Sequence, residues 1–70
     1  MKRDTFIESI RERGYYVEQV EDGINIFDGF GWRAFASDKI RLGLNTCALE
    51  LPNDDYNLIN RYIRTPLNKR

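Results

Sequence analysis

Few side chains in this 70-residue sequence could carry out covalent or acid–base chemistry. There is one cysteine, Cys47, and there is no histidine. A cysteine nucleophile needs a nearby base, and histidine is the usual one. Zinc and most transition metals also prefer imidazole and thiolate ligands. The sequence therefore predicts no catalytic residue, no metal site and no cofactor, and it favours a small buried thiol at Cys47.

Two pairs of adjacent acids, Glu21-Asp22 and Asp54-Asp55, are explained by local structure better than by catalysis. Acid–base catalysis needs two carboxylates that face one substrate and have well-separated pKa values. The first pair precedes Gly23 in a turn sequence, and the second begins a predicted helix, where acids favour the helix dipole. An enzyme is therefore the least favoured class of function.

The segment Asp28-Gly29-Phe30-Gly31 contains a Gly-x-Gly pattern. In phosphate-binding loops such a pattern leads into the N-terminus of a helix. Here a strand-like apolar run, residues 32–36, follows instead. Two glycines between two apolar runs predict a hairpin loop and no phosphate site.

A group of basic and aromatic residues in the middle of the chain forms the candidate binding face. If residues 32–36 and 39–44 are neighbouring strands, these side chains lie on the open face of the sheet. A basic sheet face with an aromatic side chain can stack a base and hold phosphates, as single-strand binders do. The same face could contact a protein, or be an ordinary solvated surface. Its members are Arg33, Phe35, Lys39 and Arg41.

A first helix is predicted from Asp4 or Thr5 to Arg13. Thr5 and Glu8 fit a capping box, in which each side chain bonds the backbone amide of the other residue. Gly14 suits the helix stop, because a left-handed conformation costs glycine no Cβ clash. The apolar stripe of this helix consists of Phe6, Ile7 and Ile10.

A second helix is predicted to have Asn53 or Asp54 as its N-cap and to run to about Arg64. It should stop there because the residue that precedes Pro66 disfavours the helical conformation. Its broad apolar stripe consists of Leu58, Ile59, Tyr62 and Ile63.

Three or four strands are predicted between the helices, at residues 15–20, 24–27, 32–36 and 39–44. The last has the clearest alternation, with Ile40, Leu42 and Leu44 on one face. The others depend on turns, including the Asp22-Gly23 turn, where glycine supplies the positive φ of a tight hairpin.

Side-chain directions in these strands follow from alternation. In residues 15–20 either face could be buried, and we favour Tyr15 and Val17 as inward. In residues 32–36 we expect Trp32, Ala34 and Ala36 to point inward together. Residues 45–51 could be a loop, a short helical turn or a strand.

The predicted fold class is therefore α+β. A three- or four-stranded antiparallel meander carries the N- and C-terminal helices packed on one face, in the order α-β-β-β-β-α. The length of 70 residues predicts one small domain, residues 1–70, with a marginal core. If residues 15–20 prove irregular, the sheet has one strand fewer.

Charge and hydropathy restrict the possible partners. The chain has 11 basic and 11 acidic residues, and a net charge of zero disfavours a dedicated nucleic-acid binder. The charges occur in blocks, however, which permits a local basic face. No apolar run approaches the ~20 residues of a membrane span. A signal peptide is not evident, so we predict a cytosolic protein with no membrane partner.

The C-terminal residues carry a resemblance to a known group of proteins. Leu51-Pro52, a helix with Leu58-Ile59 and Tyr62, and the tail Thr65-Pro66-Leu67-Asn68-Lys69-Arg70 resemble the end of many small phage and prophage proteins of Gram-positive bacteria. The layout is similar over the whole chain. That family has no assigned activity, so no catalytic residue carries over. The resemblance implies an accessory protein in the cytoplasm of a bacterial host.

The leading functional prediction is thus a non-enzymatic accessory protein of phage or prophage type. It would act by contact with a host or phage protein, or by self-association. The alternative is weak nucleic-acid binding through the open sheet face.

Overall fold

Two helices bracket a four-stranded antiparallel sheet, so the predicted α+β fold class is confirmed. The computed structural model describes residues 1–46 and 51–70. The strands are consecutive neighbours in the order β1-β2-β3-β4. The elements are α1 (Arg3–Glu12), β1 (Tyr16–Val20), β2 (Gly23–Asp28), β3 (Gly31–Ser37), β4 (Leu44–Thr46), α2 (Asn53–Arg64) and a 3₁₀ turn (Leu67–Lys69).

The core lies between the two helices and one face of the sheet. The sheet contributes Ile24, Ile26, Ala34 and Ala36, all fully buried. The small alanines of β3 let α2 approach the sheet closely, as their spacing predicts. The helices contribute Phe6, Ile7, Ile10, Leu58, Ile59, Tyr62 and Ile63. Both helices therefore pack on the same face, and the rings of Phe6 and Tyr62 stack with centroids 4.3 Å apart.

The inward face of β1 is the one that the sequence favours. Val17 pairs with the buried Ile26 of β2, and paired side chains share a face of the sheet. Tyr15 and Val17 both pack against the core.

The start of α1 differs from the prediction, and its last residue, Glu12, lies one position before the predicted Arg13. The helix begins at Arg3 with Lys2 as N-cap and no side-chain cap, so the Thr5–Glu8 capping box is wrong. Thr5 already lies inside the first turn, because the Phe6 amide donates to the Lys2 carbonyl oxygen at 3.0 Å. At the other end Gly14 has φ +92°, which confirms the predicted glycine stop.

Residues 39–44 do not form the predicted strand; β4 begins only at Leu44. The Ser37 hydroxyl accepts hydrogen bonds from the Lys39 and Ile40 amides, at 3.1 and 2.9 Å, and turns the chain away from the sheet. Leu42 then adopts φ 66°, and its amide donates to the Ile63 carbonyl oxygen at 3.1 Å. Ile40 and Leu42 are therefore exposed, and of the alternating set only Leu44 packs on the core.

The glycines at the two tight turns of the sheet differ in backbone conformation: Gly31 has a positive φ and Gly23 does not. In the second turn Gly31 has φ +137°, and Asp28 Oδ1 accepts from the Phe30 and Gly31 amides at 2.7 and 3.2 Å. The predicted hairpin loop is confirmed. The positive φ expected at Gly23 is wrong, because this residue has ordinary strand geometry as the first residue of β2.

The second helix ends at Arg64 as predicted, and Thr65 follows it in an extended conformation before Pro66. Its N-cap is Pro52 and no side chain caps it, so the predicted cap at Asn53 or Asp54 is wrong. Of the open segment 45–51, β4 takes the first two residues and Leu51 is buried. Cys47, with its predicted burial, lies outside the described residues. Neither described helix is long and apolar enough to cross a membrane.

The carboxylate of Asp55 ties α2 to the residues that follow α1. Asp55 of α2 accepts hydrogen bonds from Arg13 Nη1, at 2.7 Å, and from the Tyr15 hydroxyl. Burial, with help from the hydrogen bond to the Asp55 carboxylate, raises the pKa of Tyr15 to about 12. Both effects favour the neutral phenol in the folded state.

Replacing Tyr15 with phenylalanine should lower the free energy of unfolding near neutral pH by about 1–2 kcal/mol, because Asp55 loses one donor. The raised pKa of Tyr15 contributes stability that is fully present below about pH 10, the ordinary value. That contribution is lost as the pH rises toward about 12. The difference between Y15F and the native chain should therefore shrink over this range in urea titrations.

The matched control is Tyr16→Phe, which removes the hydroxyl from the exposed neighbouring tyrosine. It should change the free energy of unfolding by no more than about 0.5 kcal/mol, both near neutral pH and over the alkaline range. Equal behaviour of the two variants would contradict the role of the Tyr15–Asp55 bond.

Candidate interaction surface

The sheet face opposite the helices carries aromatic side chains on three adjacent strands. Tyr16 of β1 pairs with Phe27 of β2, and Phe27 pairs with Trp32 of β3. Because paired side chains share a face, these three residues form one cross-strand line, which we call the aromatic row. Tyr16 is 67% exposed and Trp32 is 37% exposed. Phe35 lies further along β3 on the same face, where it pairs with Asn25.

The position of Trp32 on this face corrects the prediction that it points inward with Ala34 and Ala36. The register between β2 and β3 shifts after Ile26, so that Ile26 pairs with Ala34 while Phe27 pairs with Trp32. Arg33 is consequently the extra residue of a β-bulge. The bulge reverses the alternation of β3, which places Trp32 on the open face.

The bulge also removes Arg33 from the predicted binding face. Its side chain bonds Asp28, with Nε 2.6 Å from Oδ2, and the residue is only 9% exposed. Lys39 and Arg41 lie in the loop before β4, where Arg41 Nε and Nη2 donate to the Arg64 carbonyl oxygen at 3.1 and 3.0 Å. The structure therefore does not bring the four predicted residues together. Phe35 alone lies on the open face, because residues 39–44 are not a strand and β3 contains the bulge.

Hydrogen bonds fix the Trp32 ring within the aromatic row. The indole Nε1 donates to Asn25 Oδ1 at 3.1 Å, and Asn25 Nδ2 donates to Glu18 Oε1 at 3.3 Å. This chain of bonds crosses three strands on the solvent side of the sheet. A ring that is already held in place loses less conformational entropy when a partner binds it.

Replacing Asn25 with alanine should release the indole and change its fluorescence. Trp32 is the only tryptophan, so its emission maximum and anisotropy report this site directly. We expect a red shift and lower anisotropy, with a loss of stability of no more than about 1 kcal/mol. Glu18→Gln is the control, because glutamine retains an oxygen that can accept from Asn25. A spectrum of N25A identical to that of the native chain would contradict this arrangement.

Phe30 extends the apolar surface at the same end of the sheet. It is 93% exposed and occupies the turn that follows the Phe27–Trp32 pair. Asp28 holds this turn, since Oδ1 accepts from two turn amides and Oδ2 accepts from Arg33. The hydrogen bond from Arg33, together with the amide bonds, lowers the pKa of Asp28 and keeps it charged. The exposed ring is thus presented on an ordered turn.

The charged side chains near this surface are acidic. Glu18 lies on the open face of β1, two residues from Tyr16, and Glu21 and Asp22 are exposed in the turn that follows. The positive charge of Arg33 is directed at Asp28. Within residues 1–46 and 51–70, no group of three His, Cys, Asp or Glu side chains could hold a metal ion. The arrangement suits apolar contact with a surface of neutral or positive charge.

Comparison of the chain with protein-family models, with curated proteins and with solved structures found no match. The resemblance to small phage proteins, and the accessory role that it implies, therefore stay predictions. The candidate surface is defined by the geometry of the sheet.

Proposed function

We propose that this chain is a non-enzymatic protein that binds another protein through the aromatic row and Phe30. The observation that supports the proposal is the sheet face opposite the helices, which no helix of residues 1–46 and 51–70 covers. On it Tyr16, Phe27 and Trp32 lie side by side next to the exposed Phe30. Contiguous apolar patches on a folded surface mark interaction sites more often than scattered apolar residues do. Tyrosine and tryptophan are also enriched among the residues that dominate binding energy.

The restraint of the aromatic side chains on this surface is a second argument for the proposal. A merely solvated face has no need to restrain its aromatic rings, whereas here Asn25 holds Trp32 and Asp28 holds the turn of Phe30. Preorganised aromatic side chains bind with a smaller entropic cost. In both cases a polar side chain, Asn25 or Asp28, holds the aromatic residue or its turn in place.

Nucleic-acid binding is less well supported by the geometry. Stacking of bases requires nearby cations for the phosphates. The charged side chain on the face of the aromatic row is the carboxylate of Glu18. The cations of Lys39 and Arg41 lie in a separate loop. Binding of a single strand through the four residues Arg33, Phe35, Lys39 and Arg41 stays a prediction, which a titration with a labelled oligonucleotide at low salt tests.

The resemblance of residues 51–70 supports placing this activity in a phage or prophage accessory protein of a bacterial cytoplasm. Genes for recombination, lysis or a repressor next to the coding sequence would support this setting. A locus without phage genes would count against it.

The test of the proposed function is capture of a partner with matched variants. The native chain is immobilised, a protein that it retains is purified, and its dissociation constant is measured from Trp32 emission. Phe30→Ser should weaken binding at least about thirtyfold, since an aromatic contact that dominates an interface contributes about 2 kcal/mol or more.

The control is Leu67→Ser, which removes an exposed apolar side chain from the 3₁₀ turn after α2. It should leave the dissociation constant unchanged. Equal loss in both variants, or undiminished binding by F30S, would contradict the assignment of the surface.

A further inference from the structure

We propose that the partner adds a strand to the outer edge of β1, and that this strand alternates basic and apolar side chains. The inference rests on the proposed function and specifies the partner's chemistry. It depends on the edge of β1, the cleft beside it and the charges on both of its faces.

The outer edge of β1 is available for pairing. The sheet order places β1 at one side, and among the described residues it pairs with β2 alone. In an antiparallel ladder alternate residues direct their N–H and C=O groups away from the paired neighbour. Edge strands that are not to be paired are usually shielded by lysine, proline or a bulge. The sequence of β1, Tyr-Val-Glu-Gln-Val, has no lysine, proline or bulge, and the one charge that it carries, at Glu18, is negative.

A cleft accompanies this edge on the helix side of the sheet. It has a volume of about 570 Å³ and lies between α1 and Gln19 of β1. Three carboxylates and one guanidinium line it, with an isoleucine as the apolar contact. The helix residues concerned are Asp4, Ile7, Glu8, Arg11 and Glu12. Side chains on one face of an added strand would enter this cleft.

The opposite face of the same edge offers Tyr16, Glu18 and Val20, all exposed. Side chains on the other face of an added strand would meet these three residues, because successive side chains of a strand point to opposite faces. The cleft side of the edge is therefore mainly acidic, whereas the open side has two apolar side chains beside one carboxylate. Because alternate side chains of a strand share a face, a strand that alternates lysine or arginine with apolar residues can direct its cations into the cleft and its apolar side chains toward Tyr16 and Val20.

The charge of β1 also disfavours a second copy of this chain as the occupant. An antiparallel pairing of two β1 strands centred on the middle residue places Glu18 opposite Glu18. Like charges directly opposite each other on neighbouring strands are destabilising. A nucleic-acid strand would meet the same carboxylates with its phosphates. The observations thus favour a basic segment of a different protein.

Three strand-length peptides test the inference directly. The first alternates lysine and valine, the second alternates glutamate and valine, and the third has the composition of the first with its lysines and valines in separate blocks. Binding is followed by Trp32 emission and by hydrogen exchange of backbone amides. The alternating basic peptide should bind and protect alternate amides of β1, with those of β4 unchanged. The acidic and blocked peptides should not.

Glu8→Gln supplies the matched variant, because it removes one carboxylate charge from the cleft and keeps the length of the side chain. It should weaken the basic peptide about two- to fivefold, as expected for one exposed ion pair. Equal binding of the acidic peptide, or binding without protection of β1, would overturn the inference. The inference would also be overturned if sedimentation shows that the chain self-associates and hydrogen exchange shows that the β1 amides are protected in the associated form. If a captured partner is sensitive to F30S and leaves the β1 amides unprotected, this inference fails while the proposed function stands.

Discussion

Replacing Asp38 with alanine should lower the free energy of unfolding by about 3 kcal/mol, because it leaves a buried cation without its carboxylate. Asp38 accepts from Arg3 Nε at 2.9 Å, from Arg70 Nη1 at 3.2 Å and from the Tyr62 hydroxyl. The Arg70 side chain is only 4% exposed. Asp38 therefore joins α1, the loop after β3 and the C-terminal residues at one point.

Arg70 makes this point costly to disturb. Its guanidinium lies 4.7 Å from the centroid of the Tyr62 ring and donates to the Ile63 carbonyl oxygen at 2.9 Å, while Nε donates to the Thr65 carbonyl oxygen at 3.1 Å. The Ile63 carbonyl lies in the last turn of α2 and the Thr65 carbonyl directly follows the helix, so neither has a partner within the helix. Without Asp38, the guanidinium would keep these contacts but lose its counter-charge.

The effect of D38A should depend on pH in a defined direction. Burial raises the pKa of Asp38, but the hydrogen bonds from Tyr62, Arg3 and Arg70 outweigh burial and leave the pKa below 3.8. Because the folded-state pKa is lowered, the contribution to stability is present above the unfolded value, near pH 4. That contribution is lost as the pH falls through the folded-state value.

Urea titrations at pH 7 and at a series of values below pH 4 measure this difference. The gap between D38A and the native chain should be largest at neutral pH and should narrow on acidification. Glu21→Ala, which removes an exposed carboxylate from the β1–β2 turn, should change stability by no more than about 0.5 kcal/mol. A D38A variant as stable as E21A would show that the cluster contributes nothing net.

The parts of the fold that the sequence predicts are those with local causes. The apolar stripes of the two helices, the glycine stop at Gly14 and the two tight turns each depend on a few neighbouring residues. The alternation of residues 39–44 is equally clear in the sequence, yet it does not produce a strand. The Ser37 hydroxyl accepts from two following amides, a local bond that competes with the strand, and the Leu42 amide bonds the distant Ile63 carbonyl oxygen. One local and one tertiary interaction together override the alternating pattern.

In the candidate surface, the Tyr16–Phe27 pair depends on a local turn, whereas the position of Trp32 depends on the β-bulge. Because Val20 pairs with Gly23 across the two-residue turn Glu21-Asp22, Tyr16 must pair with Phe27. The sequence predicts this hairpin but not its register, since the predicted turn lies one residue later, at Asp22-Gly23. The bulge at Arg33 has no comparable signal, and a shift of one residue sends every side chain before it to the other face. Trp32 was therefore expected in the core, and Arg33 was expected on the surface.

The second large effect concerns Gly23, where substitution by alanine should lower the free energy of unfolding by about 3 kcal/mol. A Cβ at this position would overlap the Ala36 carbonyl oxygen and lie 2.8 Å from Phe35 Cζ. The Phe35 ring could rotate away at some cost. The carbonyl belongs to the backbone of β3 beside the fully buried Ala36 and cannot retreat without disturbing the core.

Gly23 is thus a glycine because of the space it leaves, since its φ is not positive. Glycine in a strand often marks such a close approach, and an aromatic ring on the neighbouring strand can cover the exposed backbone. The conformational restriction of the unfolded chain by alanine is worth about 0.4–1 kcal/mol in the opposite direction. The steric overlap exceeds that gain, which fixes the sign of the prediction.

The matched control is Gly29→Ala in the β2–β3 turn, where an added Cβ meets nothing within 4 Å and φ is not positive. It should be neutral or slightly stabilising in urea titrations followed by Trp32 emission. A G23A variant as stable as G29A would mean that Phe35 and the backbone of β3 are not held against β2. The register that places Trp32 beside Phe27 would then lose its support, and with it the aromatic row on which partner binding depends.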